Sequence, residues 1–405
     1  MIPFLTLLAC KDETPGDPRE FTERTARIAA IADANNDFAF DVLQATRADV
    51  PDNLFFSPFS ISSALGMTYG GAGGDTAQQL HDVLHVGLDD AAFHETLGAY
   101  VHDVGGEHER AYTLDVANRL FVDQSFPLQP AFVTLTTDTY GAPVAPVDFV
   151  GDPDGARAAV NGWVSDQTRG TIDALLPAGS ITSDSRIVLA NAIYFLGDWT
   201  QAFEPSSTTD QLFHAPSGDR TVPMMLGNPA GDEPLLATIN DDFSMIRLPY
   251  QSDELSMLLI LPTDPATPLA DLEPTLDAAR LQALVDALQP AYQTTVQLPR
   301  FELRTQLELA PALKSLGMTD AFDFALADFS PLSATTEDFA IAEVFHEAFV
   351  SVDEHGTEAS AASGVHGHRQ LFSYTPPFVA DRPFLFAIRD DLTGTILFLG
   401  RLVEP

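Results

Sequence analysis

The stretch VFHEAFVSVDEHGTEASAAS, Val344–Ser363, changes character halfway along. Its first part is rich in β-branched and aromatic residues, the composition of a strand. From Glu354 to Gly364 the chain reads EHGTEASAASG, a run of small residues. Two apolar strands follow in PFLFAIRDDLTGTILFLGRL, which closes the chain as a hairpin. Gly and Ser runs commonly form flexible linkers. Parity offers a second reading, because side chains of an extended segment alternate between two faces. One face carries Thr357, Ala359, Ala361, Ser363, Val365 and Gly367. The other carries Glu358, Ser360, Ala362, Gly364, His366 and His368. The first face is small and nearly uncharged, and the second holds the charged and titratable groups. Such a segment is soluble when exposed and still fits a tight slot in a sheet. The pattern alone leaves both readings open.

The chain has 405 residues, 45% hydrophobic and 19% charged, with room for one large or two medium domains. No apolar run approaches the roughly 20 residues of a membrane-spanning helix. The net charge is −38, and Lys11 and Lys314 are the two lysines. Phosphate contact needs Lys and Arg, so nucleic acid is not an expected partner. Such acidity favours solubility, with a salty habitat or a basic partner as the sharper alternative. Phosphate-loop, dinucleotide, HExxH and G-x-S-x-G signatures are absent, and no enzyme is expected. His81 and His85 stand four apart on a predicted helix, but two ligands do not make a stable metal site. We expect no metal and no cofactor. Trp163 and Trp199 read as packing residues, and His366 and His368 as solvated groups or pH sensors.

Cys10 is the single cysteine, so an internal disulfide is not possible. It ends the opening MIPFLTLLAC, in which Leu-Leu-Ala-Cys resembles the lipobox of bacterial lipoproteins. The basic residue usual ahead of a signal's apolar run is missing. The resemblance implies a signal peptide over residues 1–9, lipid attachment at Cys10 and a polar tether over 10–20. It makes the expected location extracellular or on the cell envelope, with a bacterial membrane reached only through the lipid. Residues 21–405 read as one domain. Helical spacing covers 21–46, 154–168, 269–288 and 307–316, and Ser57-Pro58 starts another helix. Strand-like runs lie at Tyr112–Val122, Arg186–Phe195 and Ser256–Leu261. The mixture argues for an α+β fold built on large sheets.

Several segments, taken in order, resemble the serpin family. They are NLFFSPFSISSALGMTYGGAGGDTAQQL (Asn53–Leu80), NAIYFLGDWTQAF (Asn191–Phe203) and VPMM (Val222–Met225). LPYQSDELSMLLILP (Leu248–Pro262), LPRFELRTQLELAPALKSLGMTDAFD (Leu298–Asp323), the opening stretch and DRPFLFAIRDDLTGTILFLGRL complete the set. The match spans about residues 30–405. It departs at Thr171 and at Leu196, where the family commonly has lysine. The resemblance implies three β-sheets, eight or nine helices and an exposed reactive-centre loop near the C-terminus. The hinge of that loop would comprise Glu354, Gly356, Thr357, Ala359, Ala361, Ala362 and Ser363.

The family's inhibitory members are suicide substrates that act as monomers. A serine protease cuts the loop, remains attached as an acyl-enzyme, and is carried along as the loop joins the central sheet. Small residues at 359, 361 and 363 suit that insertion, since overpacking costs about 1–3 kcal/mol per site. Gly356 is expected to supply backbone angles closed to other residues as the chain folds over. Pro, which would remove a ladder donor, is absent from Gly356 to Ser373. Thr357–Gln370 would span roughly 46 Å at about 3.3 Å per residue.

Counting from Gly356 puts Gln370 before the cut, and counting back from Pro383 points nearer Phe372. Arg369, Gln370, Leu371 and Phe372 are the candidates, with Arg369–Gln370 or Gln370–Leu371 preferred. Arg369 suits a trypsin-like partner, and Leu371 or Phe372 a chymotrypsin- or subtilisin-like one. The expected partner is therefore a serine protease in covalent complex. A non-inhibitory member serving as a binding module, or an inhibitor of cysteine proteases, is the alternative. With so few basic residues, a polyanion such as heparin is not expected as an activator.

Overall fold

The computed structural model describes residues 18–105, 111–335, 339–357 and 376–405, with backbone alone for 18–22. Three sheets of six, four and seven strands and nine α-helices make up the described residues. The central sheet carries the functional argument. Its strands are β1 (Tyr112–Asp123), β2 (Ala145–Val147), β3 (Ile187–Asp198), β4 (Phe301–Glu308), β5 (Ile341–Val352) and β6 (Gly356–Thr357). Their order across the sheet is β4-β5-β6-β3-β1-β2.

β3 is buried almost along its whole length because both faces of the sheet are covered. Ile187, Leu189 and Ile193 point into the main core, beside Phe59 and Leu65 of helix α1 (Pro58–Tyr69). Val188, Ala190 and Ala192 point the other way, onto Val160 and Val164 of helix α2 (Pro153–Gln167). The loop after α2 continues this outer cover. Leu175, Leu176 and Ile181 pack with Val188 of β3 and Phe345 of β5, so the loop straddles the boundary between those strands. Burying each such aliphatic side chain stabilises the fold by about 1.5–3 kcal/mol.

Most element starts follow local chemistry. The Ser57 hydroxyl caps α1 by accepting from Ser60 N, with Pro58 in the first turn. Asp152 caps α2 in the same way, accepting from Gly155 N. Two helical expectations are corrected. The helix expected over 269–288 is broken into Leu269–Leu272, a 3-10 turn at Glu273–Thr275, and Ala278–Asp286. Pro274 has no N–H to continue the first piece, and Asp277 caps the second by accepting from Arg280 N. The helix expected over 307–316 covers only Ala310–Ser315. Leu307 and Glu308 finish β4, whose residues alternate buried and exposed without a break. His85 lies beyond the end of the helix Gly74–Val83 at φ 52°, not on it. It contacts Asp41 at 2.7 Å while His81 contacts Asp82, so the two take different partners.

Candidate functional site: the head of the central sheet

β3 and β5 run parallel and pair directly from Ile187–Ile341 to Ile193–Ala348. Above that point they diverge. β5 continues to Val352, the chain turns at Asp353–His355, and β6 comes back down between the two strands. Thr357 pairs with Val352 on one side and Gly197 on the other, and Gly356 pairs with Asp198. Two residues of the opening stretch therefore already form a strand inside the sheet.

The turn is built by Asp353. Its carboxylate accepts from His355 N at 2.8 Å and Gly356 N at 3.3 Å, and its own N–H donates to Gly356 O at 3.0 Å. In this seat Gly356 is needed for space. It is not among the positive-φ residues, but a Cβ at this position would lie 2.1 Å from Gly197 O. Thr357 is fully buried, and its hydroxyl meets Tyr250 Oη at 2.7 Å. Tyr250 stacks on Trp199 with ring centres 4.7 Å apart. Trp199 also holds the turn, donating from Nε1 to Asp353 O (3.1 Å) and from its backbone N–H to His355 O (2.8 Å). It packs as expected and is a hydrogen-bonding clamp as well.

Glu354 is buried at 2% exposure and is anchored by Arg300 and Thr208. Arg300 Nε donates to its carboxylate at 2.8 Å, and Arg300 Nη2 donates to the same oxygen. Burial raises the Glu354 pKa, but the bonds from Arg300 and Thr208 outweigh it and hold the carboxyl below its usual value.

A second cluster crosses the seam lower down. Asn118 of β1, Asn191 of β3 and His346 of β5 stand on one rung, each opposite the next. All three reach toward the start of α1. Ser57 N donates to His346 Nε2 at 3.1 Å. A backbone N–H can only donate, so Nε2 is the acceptor, and the ring proton sits on Nδ1 and is donated to Asn191 Oδ1. Asn191 Nδ2 donates to Ser60 Oγ (2.7 Å) and to Asn118 Oδ1, and Asn118 Nδ2 donates to Ser60 O (3.2 Å). Burial pushes the His346 pKa down to about 3, so the ring is neutral at ordinary pH. This cluster was not identified from the sequence. The available signal was a lone histidine inside the apolar strand IAEVFHEAFV.

Of the hinge residues expected, Glu354, Gly356 and Thr357 come together here. Ala359, Ala361, Ala362 and Ser363, the cut region Arg369–Phe372, and Cys10 lie outside the described residues.

The central sheet thus holds a two-residue strand at its head, seated between β5 and β3, with both faces covered and a polar rung at the seam below. Residues 33–405 match the family described as Serpin (serine protease inhibitor), and the chain belongs to that family. Similar relatives include the leukocyte elastase inhibitors of Bos taurus, 38% identical, and Homo sapiens, 36% identical. Each match covers 93% of this chain and 99% of the relative. A serpin-like protein of Methanosarcina acetivorans is 33% identical over 93% of this chain and 86% of its own. Uncleaved ovalbumin superposes with a TM-score of 0.82 at 28% identity, and native protease nexin-1 solved with heparin does so with 0.82 at 31%. Each superposition covers 93% of this chain and 100% of the other.

Proposed function

We propose that the protein is a suicide-substrate inhibitor of serine endopeptidases. The observation that carries this reading is the seat of Gly356 and Thr357, flanked by β3 on one side and β5 on the other. On this reading the protease serine oxygen attacks the carbonyl carbon of the residue before the cut. The peptide C–N bond breaks, and the new amine leaves with the proton that the protease histidine took from the serine. The ester that remains ties the protease to the chain. Residues after Thr357 then extend β6 downward, parting β3 from β5 and drawing the attached protease along.

The family description and relatives named for elastase inhibition support a serine endopeptidase as partner. The preferred cuts are Arg369–Gln370 for a trypsin-like enzyme and Gln370–Leu371 for its neighbour bond. The test is incubation with trypsin, chymotrypsin and subtilisin, followed by denaturing gels. A covalent adduct supports the reading, and complete cleavage without an adduct with all three enzymes contradicts it. Ala361→Glu, which sets a charge on the inward face, is expected to turn inhibitor into substrate.

The chain is further proposed to be lipid-anchored through Cys10 on the outside of a bacterial cell, a reading supported by the LLAC sequence. No helix among the described residues is long and apolar enough to cross a membrane. Mass spectrometry of the native protein tests this, and an intact Met1 with a free thiol contradicts it.

A further inference from the structure

Glu343 lies on β5 near the foot of the seam, opposite Val188 of β3. On the other flank β4 ends at Glu308, which pairs with Phe345. Glu308 and Glu343 are therefore diagonal neighbours on one face of the sheet, and their carboxyl groups hydrogen-bond to each other. Burial, then that bond and the Glu308 charge, push the Glu343 pKa up to about 7. Lys314, from the helix Ala310–Ser315, is the cation on this side, and its charge acts on Glu343 more weakly than Glu308 does. Its Nζ lies over the Phe322 ring at 5.0 Å. The loop after α2 covers this end of the sheet with Leu175, Leu176 and Ile181, and its Asp173 acts on Glu347. Glu347, higher on the same face, has Arg304 at 2.9 Å. Glu343 has no such ion pair among the described residues.

β6 sets the register of a strand that follows it down the seam. Thr357 pairs with Val352 and with Gly197, antiparallel on both sides. Each residue further along the chain meets a residue one earlier on β5 and one earlier on β3. Carried down to residue 366, the count reaches Glu343 on β5 and Val188 on β3. Glu343 and Val188 already face one another across the seam, so the two flanks agree on the rung. Residue 366 is a histidine, outside the described residues. Residues opposed across a ladder share a face, which brings an imidazole to the carboxyl group that has no cation.

We propose that the Glu308–Glu343 pair receives the imidazolium of His366 when the segment after Thr357 fills the slot between β3 and β5, so that the filled form is held more tightly at acid than at alkaline pH. This rests on the insertion reading given above. A carboxyl pair that shares one proton carries one negative charge, and one imidazolium cancels it. Histidine ordinarily titrates near 6.5. The added stability is therefore present below that value and is lost as pH rises and the ring gives up its proton.

The test is the Tm gained on cutting the full-length chain between Arg369 and Phe372, measured at pH 6 and at pH 9. In the wild type the gain should be greater at pH 6 by about 1–2 °C. His366→Ala and Glu343→Gln should each remove that difference, and the double variant should lose no more than either alone. His366→Lys, charged at both pH values, should carry the greater gain to pH 9. An equal gain at the two pH values in the wild type, or an unreduced difference in His366→Ala, would overturn the proposal and leave insertion standing. No gain at either pH in any chain would overturn insertion and the proposal with it.

Discussion

His346 stands directly opposite Asn191 across the one stretch where β5 and β3 pair without a strand between them, and the two side chains are bonded to each other. Any strand that enters from the head of the sheet must separate this pair. The bond therefore restrains the seam in the uncut molecule. Asn191→Ala leaves the His346 Nδ1–H without its acceptor in a buried site, at a cost of about 1–3 kcal/mol, while Asn118 keeps its bonds to Ser60. The expected outcome is a Tm lower by roughly 1–4 °C, together with faster capture of a synthetic peptide copying residues 357–370. Thermal unfolding and peptide-incorporation kinetics check the two arms separately.

The same histidine makes stability depend on pH. Its folded pKa of about 3 lies below the ordinary value of 6.5. The unfolded chain therefore binds the extra proton across that interval, and stability is full above about pH 6.5 and is lost as pH falls toward 3. One such group contributes a slope of at most about 1.4 kcal/mol per pH unit. His94, pushed down to about 4 by burial, acts in the same direction. Glu343 acts in the opposite direction. Burial and the neighbouring Glu308 push it up to about 7, so its contribution is present below its unfolded value near 4.5 and lost as pH rises through 7. Urea unfolding between pH 4 and 6.5 should give a shallower slope in His346→Gln than in the wild type. An unchanged slope would show that this ring takes up no proton on unfolding.

Gly356 makes a sharper prediction. A Cβ at this position would lie 2.1 Å from Gly197 O and 2.7 Å from Asp198 Cα, both backbone atoms that cannot rotate away. Gly356→Val should keep the chain out of its seat between β3 and β5. The variant should still be cut at the wild-type rate while yielding much less covalent complex, which the stoichiometry of inhibition measures.

Glu354 fixes the point where the turn begins. Arg300→Ala leaves its buried carboxylate with Thr208 as the remaining side-chain donor. Because Arg300 is itself 45% exposed, water can partly replace it, and the loss should be modest, about 1–2 kcal/mol. The carboxyl pKa should rise toward its normal range. In the wild type the stability contributed by Glu354 is present above its unfolded pKa and lost as pH falls through the depressed folded value. The variant should lose that acid-side dependence, as measured by unfolding between pH 3 and 5.

The loop after α2 is tied to the edge strand. Gln306 donates to Leu175 O at 2.5 Å and to Ala174 O at 3.3 Å, and Arg304 donates to Thr171 O at 2.7 Å. Since the loop covers the seam, opening requires it to shift. Gln306→Ala removes about 1 kcal/mol of tether and should speed peptide capture by up to about five-fold with little change in Tm.

Much of the architecture was legible because alternation and capping are local. Ser57-Pro58 gave the start of α1. Of the alternating residues 357–368, Thr357 alone is among the described residues, and it is buried. The breaks at Pro274 and Leu307 were missed because apolar spacing alone does not separate a short helix from a strand end. The reason for Gly356 lay in a close approach to Gly197, a residue far away in sequence. The rung of Asn118, Asn191 and His346 was illegible for the same reason. Each residue reads locally as an ordinary polar member of a strand, and only the register across three strands aligns them.

The most direct test is a melting curve taken before and after a single cut between Arg369 and Phe372. If the segment beyond Thr357 becomes a full strand between β3 and β5, it adds roughly ten backbone hydrogen bonds at about 1 kcal/mol each. The cut chain should then melt about 10 °C or more above the intact one. Equal melting temperatures would contradict the account, because the severed segment would have gained no place in the sheet.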